Sequence, residues 1–215
     1  TGAALIMVDE KSSENKILVV LGACEHFTDA DIETVRNSLE SAGILLTQLE
    51  TNIDAVEKAI DIAHKKGVRI VLNPAPAQPI SDELLQKIDV ITPNETEASI
   101  LTGIAIESNE DVKKAADIFI QKGVKNVIIT LGGKGVYART KEKEMFVPVI
   151  GVNVVDTTGA GDAFNGGFVT ALAEGKDFFE AVKFGNIAGA LSVTKIGTAP
   201  AMPYRHEIES YLKII

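Results

Sequence analysis

The chain has 215 residues, 46% of them hydrophobic, enough to bury a sizeable core within the length of one domain. Its 21 lysines and arginines against 30 aspartates and glutamates give a formal charge of -9, and no stretch gathers five or six basic residues, which argues against a nucleic-acid-binding face. A lone cysteine, Cys24, excludes an internal disulfide, and no apolar run approaches the roughly 20 residues of a membrane span. We therefore expect a cytoplasmic protein with no membrane partner, residues 1–215 forming one α/β domain.

Two β-branched runs, residues 3–8 and 16–21, flank a polar turn at 9–15 and predict a hairpin. Thr28 or Asp29 can cap a helix to about residue 41, followed by a short buried run at 44–46. Asn52 begins a helical period that ends at Lys66-Gly67, and a strand follows at 68–72. Next come a helix after Ser81, a strand at 89–92, a helix from Asn94, a helix over 110–122 and a strand over 126–131. Strands at 135–138 and 145–147 lie close enough to form a hairpin, and the remainder is helical over 161–173, 179–194 and 204–212. This alternation predicts a three-layer α/β fold, a mostly parallel sheet flanked by helices, with ligands outside the carboxyl ends of the strands.

The segment Val154-Val155-Asp156-Thr157-Thr158-Gly159-Ala160-Gly161-Asp162-Ala163-Phe164-Asn165-Gly166-Gly167 carries the most chemistry. A strand-like pair leads into small residues that start a long helix, so free backbone N–H groups and the positive end of the helix dipole converge on one spot. A carboxylate at Asp162 could take a proton from an attacking hydroxyl while the amides stabilise a transferring phosphoryl group. Read alone, Asp162 could equally cap its helix, with the glycines serving close packing. Thr130-Leu131-Gly132-Gly133-Lys134-Gly135, after an apolar strand, permits a tight turn against a ligand, or an ordinary hairpin connection with a solvated lysine. In Thr92-Pro93-Asn94-Glu95-Thr96-Glu97, the spacing of Asn94 and Glu97 is that of a capping box.

Taken together, these segments resemble the PfkB family of carbohydrate kinases. In that family the Asp of the Gly-Ala-Gly-Asp run is the catalytic base, which here is Asp162, and Gly159, Ala160 and Gly161 supply the anion hole. The resemblance implies ATP as co-substrate along Thr130, Leu131, Gly132, Gly133, Lys134 and Gly135, with Asn186 as an adenine neighbour and Gly161 and Asp162 near the phosphates. It also implies Mg2+ held through water by Asn94 and Glu97, the former also beside the nucleotide. Leu72-Asn73-Pro74-Ala75-Pro76-Ala77 and Gln48-Leu49-Glu50 are similar to the ribokinase branch, where Glu50 would contact the sugar beside Asp162. That branch carries a monovalent cation, usually K+, here matched by Asp156, Thr158, Ser192, Lys195, Gly197 and Ala201, with Ala201 standing where a Ser is common.

The resemblance implies phosphorylation of a sugar primary hydroxyl, ribose first. Fructose, a ketodeoxy sugar acid or a nucleoside stays open as substrate, and so does a catalytically silent nucleotide-binding or assembly module. The family's opening strand with its sugar-binding Asp, and its Gly-Gly segment gripping the sugar, find no match: the only Gly-Gly pairs are Gly132-Gly133 and Gly166-Gly167. We therefore expect an N-terminally incomplete chain, residues 1–22 being a hairpin that forms the second half of the lid, nearly inactive on ribose. Members of the family form homodimers, and self-association is expected here too. His26, His64 and His206 match nothing in the pattern.

Overall fold

The alternation of β-branched runs with capped amphipathic stretches is what the chain folds into, in a computed structural model that describes residues 1–8 and 15–213. Strands β1 (Ala3–Val8) and β2 (Asn15–Val20) pair antiparallel, Ala3 opposite Val20 and Leu5 opposite Leu18. The turn expected between them lies, but for Asn15, outside the described residues. After a 3₁₀ turn at Gly22–Glu25 comes α1 (Asp29–Leu39), where Thr28 and Asp31 bond each other's amides in a capping box. Then follow β3 (Ile44–Thr47) and α2 (Ile53–Lys66), the latter stopped at Gly67 in the left-handed conformation with φ 71°.

The central stretch contains β4 (Arg69–Leu72), α3 (Asp82–Leu85), β5 (Val90–Ile91), α4 (Glu95–Thr102), α5 (Asn109–Gln121) and β6 (Asn126–Thr130). It is followed by β7 (Val136–Arg139), β8 (Glu144–Val147), α6 (Ala160–Ala173), α7 (Phe178–Ser192) and α8 (Arg205–Leu212). Two expectations fail: the run at 44–46 is not buried, Leu46 being exposed at the sheet edge, and Val154 and Val155 belong to no strand. The amides of Val155 and Asp156 both donate to Val193 O, at the end of α7, so this backbone joins a helix end and no ladder.

The chain divides into two compact units. The first comprises Thr1–Gly2, Leu21–Leu131 and Tyr137–Met145. Its framework is the parallel run β3-β4-β5-β6, continued in the order of the sheet by Tyr137–Arg139 of β7 and Glu144–Met145 of β8. Ile70, Val71 and Leu72 are all fully buried, so both faces of β4 are covered, as a parallel sheet between helix layers requires. Ile60, Ala63, Ala98, Ala115, Ala116 and Phe119 bring helix faces into that core. Burying each large side chain contributes about 1.5–3 kcal/mol.

The second unit comprises Ala3–Val20, Gly132–Val136 and Phe146–Ile215. Here α6 and α7 approach so closely that a Cβ on Gly167 would meet Ala188 Cβ at 2.8 Å, and one on Gly185 would meet Phe164 O at 2.8 Å. Phe164 stacks on Phe168 with centroids 6.1 Å apart, and Phe178 meets Phe168 edge-on at 5.9 Å. Leu5, Ile6, Met7, Ile17, Leu18, Val19 and Val20 of the β1–β2 hairpin are all exposed.

Candidate active site

In the first unit the candidate residues gather where α/β sheets place ligands, at the carboxyl ends of the parallel strands. Past β3, the exposed Glu50 follows Leu49, whose amide donates to Ala75 O at 2.9 Å and whose carbonyl accepts Gln78 Nε2 at 3.0 Å. The loop after β3 is thereby fastened to the Pro-rich loop after β4. At the head of that second loop, buried Asn73 donates its side-chain amide to Thr92 O at 2.9 Å, reaching the end of β5.

Asn94 and Glu97 form the capping box of α4: Asn94 Oδ1 accepts the Glu97 amide at 2.8 Å and Glu97 Oε2 accepts the Asn94 amide at 2.9 Å. Burial pushes the Glu97 carboxyl above its ordinary value, against the opposing hydrogen bond from the Asn94 backbone. Its second oxygen, Oε1, is not used by the cap. Thr130 bridges Asn94 and donates its amide to Pro93 O at 3.0 Å, and Leu131 beyond it is buried.

In the second unit, Gly132, Gly133 and Lys134 form an exposed 3₁₀ turn, closed by the Gly135 amide donating to Gly132 O at 3.0 Å. The helix α6 begins from Gly159, left-handed with φ 77°, so the cap residue is this glycine and Asp162 is the third residue of the helix. Gly161 and Asp162 are both exposed, and a Cβ added to Gly161 would have no atom within 4 Å. Gly159 serves a backbone conformation, Gly167 a helix contact, and Gly161 leaves the amides at the helix start open to approach. Asp162, Gly166 and Thr170 run along one side of α6 into a groove of ≈ 300 Å³, walled by Phe184, Met202 and Arg205.

Just before the start of α6, Asp156 is buried at 4% exposure, and its two oxygens accept the amides of Thr158 and Gly197, each at 2.9 Å. The Thr158 side chain beside it, then the Gly197 and Thr158 amides, hold its carboxyl below the ordinary range. The Thr158 hydroxyl lacks the geometry of a hydrogen bond to that carboxylate, and Thr158 Oγ1 is buried without a hydrogen-bond partner. A buried anion beside an orphaned hydroxyl oxygen is a donor set that fits a hard monovalent cation. Of the other expected residues, Ser192 Oγ is committed to Gly189 O at 2.8 Å, the Lys195 ammonium pairs with Glu207 at 3.6 Å, and Ala201 is buried with no hydroxyl to offer. Gly197, with φ 91°, turns its amide onto Asp156.

Asn186 is buried at 6% exposure, and its Nδ2 donates to Pro148 O at 2.8 Å, which sets aside the solvent-facing alternative. Sequence reasoning passed over Gln78, Arg205 and the orphaned state of Thr158 Oγ1, since each depends on partners distant in sequence. Arg205 pairs with Glu174 and Glu209 and lies over the Phe184 ring at 5.9 Å. Among the described residues no three His, Cys, Asp or Glu side chains gather as a metal cluster, and no helix is long and apolar enough to cross a membrane.

Comparison with known proteins follows the same lines. Residues 1–205 match the profile of the pfkB family carbohydrate kinases. The chain is 49% identical over 213 residues to a ribokinase of Haemophilus influenzae, covering 99% of this chain and 69% of that protein. It is 36% identical to a deoxyribokinase of Salmonella typhi, over 100% of this chain and 70% of that one. The solved structure of Arabidopsis thaliana ribokinase complexed with ribose and ATP superposes with a TM-score of 0.85 at 37% identity, over 99% of this chain and 69% of that one.

Proposed function

The chain belongs to the PfkB family of carbohydrate kinases, and we propose that within it the chain binds ATP with Mg2+ and phosphorylates the primary hydroxyl of ribose to give ribose 5-phosphate. The observation that carries this reading is the start of α6, where Gly161 and Asp162 are exposed behind a left-handed Gly159 with open space around Gly161. A phosphoryl group can approach these amides, which stabilise its negative charge as it transfers. Asp162 accepts the proton of the sugar hydroxyl, the hydroxyl oxygen bonds to the γ-phosphorus, and the bond from that phosphorus to the departing ADP oxygen breaks.

Thr130 to Gly135 would border the nucleotide, and Glu50, fastened through Leu49 to the Pro-rich loop, would hold sugar hydroxyls. Asn94 and Glu97, already engaged in their cap, fit Mg2+ through water, with Glu97 Oε1 left for it. The ion would neutralise charge on the phosphates. Asp156 and Thr158 would hold K+ beside the anion hole, with carbonyls near Ser192, Lys195, Gly197 and Ala201 completing the set. The 49% identity to a ribokinase supports ribose as the sugar. The exposed apolar side chains of β1 and β2 support self-association.

Calorimetric titration with Mg2+-ATP, with and without ribose, tests the proposal together with a coupled assay of ADP release. Nucleotide binding with slow, ribose-dependent turnover by the 215-residue chain is expected. Asp162→Asn should lower that turnover by roughly 10²–10⁴-fold while leaving ATP affinity unchanged. Turnover insensitive to Asp162, or a chain that binds neither ligand, would remove the proposal.

A further inference from the structure

Asn186 enters the family resemblance as a neighbour of adenine, and its geometry gives it a second task. It lies on α7 at 6% exposure, and one N–H of its Nδ2 donates to Pro148 O at 2.8 Å. Pro148 follows directly on β8, so this bond fixes the backbone where the strand ends. That same stretch is gripped from a second direction. A Cβ on Gly135 would meet Val147 O at 2.1 Å, Val149 N at 2.8 Å and Pro148 C at 2.9 Å, and Gly135 has φ 100°. No L side chain fits either the space or the conformation. Gly135 in turn closes the exposed turn of Gly132, Gly133 and Lys134 through its amide. One chain of contact therefore runs from Asn186 through Pro148 to Gly135 and the turn.

We propose that Asn186 is a positioning residue for the Gly132–Gly135 loop, acting through the end of β8. A loop that offers backbone groups to a nucleotide must be held before the ligand arrives, because any freedom left in it is lost on binding. The part of this inference that concerns affinity rests on the nucleotide-binding reading above. The part that concerns the loop does not.

Lys134 supplies a readout independent of any ligand, since it is exposed in the turn and is a tryptic site. Asn186→Ala and Asn186→Asp would be compared with the parent chain and with Phe184→Leu, which cuts into the core from the same helix. Limited trypsinolysis at an equal margin below each melting temperature should show cleavage after Lys134 accelerated roughly tenfold in both Asn186 variants, as the loss of a buried hydrogen bond implies. In Phe184→Leu it should stay at the parent rate. Titrations with ATP and GTP should show both affinities falling by the same factor in the Asn186 variants. Unchanged cleavage at Lys134, or a loss confined to ATP, would overturn the inference. A parent chain that binds no nucleotide would defeat the kinase reading and leave the cleavage pattern to decide this one.

Discussion

Asp156 and Gly197 are joined across 41 residues by a 2.9 Å hydrogen bond, the Gly197 amide donating to Asp156 Oδ2. The bond ties the segment that leads into α6 to the turn that follows α7. Asp156→Asn can keep one acceptor for the Thr158 amide but offers only an NH2 to Gly197. We expect a loss of about 1–3 kcal/mol at pH 7, measured by urea unfolding. Because the folded carboxyl titrates below its ordinary value, its stabilisation is present above the unfolded pKa of about 3.9 and fades as pH falls through the folded one. The gap between parent and variant should therefore narrow below about pH 4. A gap that stays constant down to pH 2.5 would contradict this.

Thr158→Val removes the orphaned hydroxyl while preserving shape. In buffer free of K+ the variant should stay within about 1 kcal/mol of the parent, since removing a buried oxygen without a partner is offset by losing the side chain that favours the Asp156 anion. Adding K+ should stabilise the parent and leave the variant unmoved, so that melting curves in K+ and in tetramethylammonium salts separate the two. Equal responses of both proteins to K+ would take the cation away from Thr158.

Glu97 presents the opposite titration. Burial raises its folded pKa, so its contribution to stability is fully favourable below the ordinary value near 4.3 and is lost as pH rises through the raised one. Glu97→Gln retains an oxygen to accept the Asn94 amide and has no charge to bury. Its melting temperature should match or exceed that of the parent at pH 7, with the difference closing toward pH 4. Mg2+-dependent nucleotide affinity should fall roughly tenfold. A variant less stable at pH 7 with unaltered Mg2+ response would mark Glu97 as a cap and nothing more.

Two glycines of the second unit should respond in opposite senses. Gly185→Ala forces a methyl to within 2.8 Å of Phe164 O and 3.0 Å of Phe168 Cβ, and should cost about 1–3 kcal/mol. Gly166→Ala meets nothing within 4 Å on an exposed helical face and should stabilise α6 by about 0.5–1 kcal/mol. Thermal unfolding of both variants decides, and a stabilised Gly185→Ala would mean that α6 and α7 are free to separate.

Much of the fold was legible in local patterning. Thr28 and the spacing of Asn94 and Glu97 announce helix starts, and each heads its helix in a reciprocal cap; the structure adds a third, Ser108 with Asp111. The Val154-Val155 pair misled because β-branched residues signal a strand only when a neighbouring strand accepts their amides, and here Val193 O takes them. Likewise Asn52 starts α2 without capping it by side chain. It spends its amide group on Phe27, bonding both that residue's N–H and its carbonyl, and on Asp54.

By itself the sequence determined the family, the parallel order of elements and the residue types offered at the start of α6, since all of these depend on spacing along the chain. Which glycine serves which purpose was decided only in three dimensions: Gly159 by its backbone angle, Gly167 by Ala188 across a helix contact, and Gly161 by the space around it. The tertiary structure also decided that Asn186 faces Pro148 and that Thr158 Oγ1 has no partner. Burial and hydrogen-bond satisfaction are properties of surroundings built from distant segments, and no local window of sequence contains them.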